Sequence, residues 1–126
     1  MTAYFFIFGI FFIHWVADFI YQTDEDAKGK STSLKHLLSH TTTYSLFWFV
    51  PVYILCMIDT LPMLFFLFPL VTFIAHTITD YFTSKWTARL WREGRTHDFF
   101  VAVGFDQLLH YVQLFGTFFV LVRWLA

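Results

Sequence analysis

His76-Thr77-Ile78-Thr79-Asp80, closing the apolar run from Leu61 to Ala75, is the stretch that decides how this chain folds. On an α-helix, residues four apart lie about 40° apart around the axis, so His76 and Asp80 share a face. Thr72, Thr79 and Thr83 fall on or beside that face, and Phe, Ile and Val occupy the opposite one. Ionisable groups within an apolar helix are costly in lipid and mark functional sites there. The same spacing recurs in every other apolar segment, as His14/Asp18, His36/His40 and Asp106/His110. The pattern predicts one polar centre assembled from several helices.

Composition identifies the solvent. Of 126 residues, 58% are hydrophobic, 24% aromatic and only 13% charged, against about 25% charged in soluble domains. Apolar segments of roughly 20 residues read as membrane helices, and four fit here. The expected fold is all-α: an integral membrane four-helix bundle in one domain over residues 1–126, with helices near 2–21, 34–57, 62–90 and 99–124. His14-x3-Asp18-Phe19 matches His76-x3-Asp80-Tyr81, which suggests two parallel helical-hairpin repeats about an axis along the membrane normal. The first segment has no basic leader and no A-x-A site, so it reads as a retained helix. A net charge of −1 leaves no basic surface for nucleic acid. Cys56 is alone, so no internal disulfide forms. Oligomeric state is not legible.

The connections carry their own signals. Gly29-Lys30-Ser31-Thr32 resembles the tail of a phosphate-binding loop, but Asp24 stands where its first glycine belongs and no strand precedes it, which excludes that reading. Thr32 or Ser33 is expected to cap the second helix and Pro51 to kink it. Asp59 and Thr60 before Pro62 form a tight link that starts the third helix. Gly94 is expected as its C-cap, and Asp98 as the cap of the fourth. Lys28, Lys30, Lys35, Lys85, Arg89, Arg92 and Arg95 lie on one side of the bundle and only Arg123 on the other. The positive-inside rule then places the 1–2 and 3–4 connections in the cytoplasm and both termini outside, in a multi-pass bacterial inner-membrane protein. With 1.5 Å of rise per residue, most of the paired polar residues are expected within roughly 15 Å of the cytoplasmic boundary.

His14, Asp18, His40, His76, Asp80, Asp106 and His110 thus form a candidate metal-ligand set, since helical bundles build metal centres from inward-facing carboxylates and histidines. Mixed nitrogen and oxygen donors suit zinc, manganese or iron. Seven donors exceed one tetrahedral ion, so two metals, or one metal with supporting groups, both fit. Gln22, Tyr44, Gln107 and Gln113 are candidates to support the ligands or hold substrate. Asp18 or Asp106 is the candidate catalytic base. His36, beside Lys35, ranks lower, and His97 reads as a turn residue. The carboxylates need a counter-charge, and the bundle interior otherwise offers none. A site at the inner leaflet favours a lipid or lipid-linked substrate. Two other readings stand beside this one. A purely structural network would gain about 0.6 kcal/mol per interhelical hydrogen bond, against about 2.5–3.5 kcal/mol to insert each mid-helix Asp. A proton or metal-ion path would need polar groups in the outer halves, where Ile7, Phe49, Phe65 and Phe118 stand instead.

Several motifs carry a family resemblance: His14-x-x-Ala17-Asp18-Phe19-x-x-Gln22, a Lys near position 28, His40-x3-Tyr44, His76-x3-Asp80, His97-x-Phe99-Phe100 and Gly104-Phe105-Asp106-Gln107-x-x-His110. Together they resemble a bacterial and phage membrane-protein family catalogued as domain of unknown function 3307. In many relatives a Lys follows the third-helix Asp by three residues, where this chain has Thr83, with Lys85 beyond. The resemblance implies the fold and the polar set without implying a reaction. The chain is also distantly similar to small membrane proteins described as metal-dependent hydrolases.

Overall fold

The computed structural model describes residues 2–58 and 62–125. Within them the chain is all-α, as its periodicity predicts. Helix α1 (Thr2–Trp15) runs into a wider π turn (Val16–Ile20), closed where Tyr21 N–H donates to the Val16 carbonyl at 3.0 Å. Such turns insert an extra residue and often sit at functional sites. Here the turn holds Asp18.

The connection expected to be irregular contains a short helix, α2 (Asp24–Gly29). Its signal is Thr23, whose hydroxyl accepts from Asp26 N–H at 3.1 Å, as an N-cap does. Asp26 then ties α2 to the next helix, accepting from His36 Nδ1 at 2.9 Å and Ser39 Oγ at 3.0 Å. Burial opposes ionisation of Asp26, but these donors outweigh it and hold the carboxyl below its usual range. A depressed acid stabilises the fold above its unfolded pKa and loses that contribution as pH falls through the folded one. The contribution of Asp26 to the α2 clamp is therefore expected at neutral pH and lost in acid. His36 belongs to this joint and not to the polar centre.

The second long rod is broken. Helix α3 (Leu34–Leu46) ends in a tight turn, and α4 (Phe49–Ile58) continues it. Pro51 has no N–H for the Phe47 carbonyl and clashes with it, so the kink appears one turn upstream of the proline. Ser33 occupies the N-cap position of α3, but its side chain makes no cap bond; the expected side-chain cap is absent. The expected link at Asp59 and Thr60 lies outside the described residues. A 3₁₀ turn (Met63–Phe66) leads into α5 (Leu67–Arg92), and Pro69 falls in its first turn, where no N–H is needed. Gly94, at φ 69°, ends α5 as expected. Arg95 N–H bonds the Leu90 carbonyl and Gly94 N–H that of Trp91, the paired bonds of a Schellman motif. Helix α6 (Thr96–Leu125) starts earlier than expected. Asp98 lies in its first turn and pairs with Arg95 at 2.8 Å, so it is not the cap. His97 lies exposed in that same turn.

Four rods form a ring in which α1 touches α4 and α6, the π turn touches α3, α3 touches α5, and α5 touches α6. In this ring α1, which carries His14, stands opposite α5, which carries His76 and Asp80. The ring is apolar outside and keeps its polar residues inside. Phe8, Phe12 and Phe82 are 74%, 65% and 65% exposed, whereas His14, His76 and His110 are fully buried. A bundle in lipid has this inversion, because its surroundings are as apolar as its side chains. The rods Leu34–Ile58, Met63–Arg92 and Thr96–Trp124 are long and apolar enough to cross a membrane, and α1 offers the shorter apolar stretch Ile7–Ile20. Inside, Ile10, Trp48, Val52, Phe65, Phe68, Leu114 and Phe118 pack one half of the bundle, and the polar centre fills the other.

Candidate metal centre

The polar residues of α3, the π turn, α5 and α6 come together in the interior, with His36 alone of the four i,i+4 pairs held outside by Asp26. His40 on α3 and His76 on α5 turn their Nε2 atoms toward each other at 3.2 Å. Asp18 Oδ1, from the π turn, lies 3.0 Å from His40 Nε2 and 3.5 Å from His76 Nε2. Asp80 Oδ2 lies 3.3 Å and 3.6 Å from the same two atoms. A tetrahedral ion with bonds of about 2.0–2.1 Å to nitrogen and oxygen separates its ligand atoms by about 3.3–3.4 Å. All five separations straddle that edge length. Two imidazole nitrogens and two carboxylate oxygens at such spacing can hold a metal ion, and Asp18, His40, His76 and Asp80 are all buried.

Asp80 faces two ways. Its Oδ1 lies 3.1 Å from His110 Nε2, which is 3.3 Å from Asp106 Oδ1. Asp80, Asp106 and His110 thus form a second group able to hold an ion, with the Asp80 carboxylate shared between the two. His76 is fixed between rings: Tyr44 stacks on it at 3.8 Å and His110 at 4.1 Å. Nδ1 of His76 and Nδ1 of His110 are buried without a hydrogen-bond partner, so the polar interactions of both rings run through Nε2, toward the carboxylates.

His14 differs from the other histidines. Its Nδ1 meets Tyr44 Oη and its Nε2 meets Gln107 Oε1, both at 2.7 Å. The amide oxygen only accepts, so Nε2 carries the proton and Nδ1 accepts from the tyrosine. Gln107 Nε2 then donates to Asp18 Oδ2 at 3.1 Å and Asp106 Oδ2 at 3.2 Å. The chain Tyr44–His14–Gln107 orients two carboxylates at once. Thr83 donates to Asp106 Oδ1. Gln113 bonds Thr72 and Thr117 higher in the bundle, away from the centre.

The sequence reading gives Lys30 no part in the centre. Lys30, just after α2, folds inward and donates from Nζ to Asp80 Oδ2 at 2.9 Å. Burial works against its charge, but Asp80 and Asp18 outweigh that and raise its pKa, so it is an ammonium. Gln22, with its amide turned to satisfy both neighbours, accepts from Lys30 Nζ at 3.1 Å. The expectation that the interior lacks a counter-charge is therefore wrong. Lys85 lies over the Tyr81 ring and Arg89 pairs with Glu93, both outside the centre. Three carboxylates against one ammonium leave two negative charges when the imidazoles are neutral, the charge that one divalent cation balances.

Fold and site together define a helical, apolar-surfaced bundle with a buried His/Asp centre that could hold a metal. The family described as protein of unknown function (DUF3307) matches residues 6–124, and the chain belongs to it. No curated protein and no solved structure matches the chain.

Proposed function

We propose that the protein is a membrane-embedded, metal-dependent hydrolase. The observation that carries this is the four-atom cage of His40, His76, Asp18 and Asp80, set beside a cavity floored by Asp18, Asp106 and Gln107. The excess of basic residues in the connections supports a cavity at the cytoplasmic leaflet with both termini outside. Zinc, manganese or iron suits two imidazoles and two carboxylates. Such an ion supplies Lewis-acid polarisation of an ester or phosphoryl oxygen and eases deprotonation of water. Asp18, His40, His76 and Asp80 would hold it. Asp106 is only partly buried and serves as general base, taking a proton from the attacking water at Oδ2, where Gln107 steadies it. The water oxygen adds to the substrate, the ester bond breaks, and the departing oxygen receives the proton.

The Lys30–Asp80 pair favours a second reading, in which the centre is a structural network alone. A transport path fits less well, because Trp48, Val52, Phe65, Phe68 and Phe118 close the other half of the bundle. Assays of metal-loaded protein against chromogenic carboxylic esters, phosphomonoesters and phosphodiesters separate these readings. Turnover in one class is expected, and Asp106→Asn should lower kcat by about 10²–10⁴ while keeping its metal. No turnover with any of the three metals, or an Asp106→Asn variant as active as wild type, would reject the hydrolase.

A further inference from the structure

A cavity of about 690 Å³ opens beside the centre, between the π turn, α2, the end of α5 and the start of α6. That is large enough for a headgroup and the first part of an acyl or prenyl chain. Its lining combines two chemistries: the cations Lys28, Lys30 and Arg92 with the hydroxyls of Ser31, Thr32 and Ser84, and the aromatic rings of Phe19, Trp91, Phe99 and Phe100. Trp91 and Phe100 are 60% and 64% exposed, so the aromatic lining is continuous with the surface that faces lipid, at the level where aromatic residues anchor in the interface.

Ser84 supplies an independent observation. It is 7% exposed and lines the cavity, yet among the described residues its hydroxyl has no hydrogen-bond partner. Leaving a buried hydroxyl unpaired costs about 1–3 kcal/mol, so the side chain gains by rotating its hydroxyl into the cavity to donate to a ligand oxygen. Arg92 offers a planar fork suited to phosphate. Asp18 and Asp106 also line the cavity and repel an anion, which favours seating the charged group beside the cations.

We propose that this cavity binds a phosphate ester carried on an apolar chain, with the phosphate against Lys28, Arg92 and Ser84 and the chain along Trp91, Phe99 and Phe100. The assignment names the substrate class of the proposed hydrolase and rests on that reading for turnover, but not for binding. Calorimetry in a maltoside detergent, which carries no phosphate, tests it with three probes: dioctanoyl phosphatidic acid, dioctanoylglycerol and inorganic phosphate. Phosphatidic acid should bind at least about tenfold tighter than either fragment, a difference worth 1.4 kcal/mol. Arg92→Gln and Ser84→Ala should each weaken it while Lys35→Gln, the same charge loss outside the cavity, leaves it unchanged. Equal binding of dioctanoylglycerol would overturn the phosphate assignment. Equal binding of inorganic phosphate would overturn the chain assignment and make the ligand a soluble phosphate. Selective binding without turnover would sustain the cavity and reject the hydrolase.

Discussion

Asp80→Ala is expected to strip the metal from the protein and to destabilise it more than any other single substitution in the centre. Oδ2 of Asp80 belongs to the His40/His76/Asp18 cage and Oδ1 to the His110/Asp106 group, so one truncation opens both. It also strands the Lys30 ammonium, which loses its 2.9 Å partner. Removing one member of a buried ion pair typically costs about 3–5 kcal/mol. Asp80→Asn should separate the two effects: the amide fills the space and still accepts from His110, but it is a poor ligand. Metal loss as complete as in Asp80→Ala, with a smaller drop in melting temperature, is the expected outcome. His97→Ala, exposed in the first turn of α6, should match wild type in both measurements. An Asp80→Ala protein that keeps full metal content would contradict the shared-carboxylate geometry.

Lys30→Met should act in the opposite sense on metal and in the same sense on apo stability. The substitution keeps the length of the stem and removes the charge, leaving Asp18 and Asp80 facing each other without an ammonium. Charges about 5 Å apart interact by roughly 3 kcal/mol at an effective dielectric of about 20, so the metal-free variant should melt well below metal-free wild type. With metal bound, the carboxylates regain a counter-charge and the competing ammonium is gone. Affinity should rise by about tenfold or more, and each tenfold adds about 1.4 kcal/mol of linked stability under excess metal. Thermal melts with and without chelator therefore form a direct comparison. The chelator-induced fall should be larger in Lys30→Met than in wild type. Equal falls would show that Lys30 and a cation do not share these carboxylates.

The helical pairs were legible because each is a polar interruption of an apolar stretch. Against Phe, Ile and Val, the spacing of His76 to Asp80 or Asp106 to His110 leaves one geometric solution. Lys30 was not legible for the converse reason. It stands among Asp24, Glu25, Asp26 and Lys28, where a cation reads as a solvated surface charge. Its inward course depends on α2, and α2 depends on the Thr23 cap and on Asp26 reaching His36 and Ser39. Those contacts are set by folding back of the chain, which no periodicity reports. His14 shows a related limit. Its spacing to Asp18 matches that of His76 to Asp80, but Tyr44 and Gln107, from two other helices, occupy both its nitrogens. Equal spacing predicted equal roles, and partners elsewhere in the ring made the roles different. Pro51 announced a kink, while the break itself fell at Phe47 and Trp48 because a proline disturbs the carbonyl four residues earlier.

The most direct test of the metal centre is elemental analysis of protein extracted gently in a mild detergent and freed of excess ions. About one divalent ion per chain is expected if only the four-atom cage fills, and about two if Asp80 bridges a pair. A protein that emerges metal-free, and that takes up no zinc, manganese or iron on titration, would contradict the account. Its carboxylates would then be balanced by Lys30 and protonated imidazoles, and the centre would be a structural network.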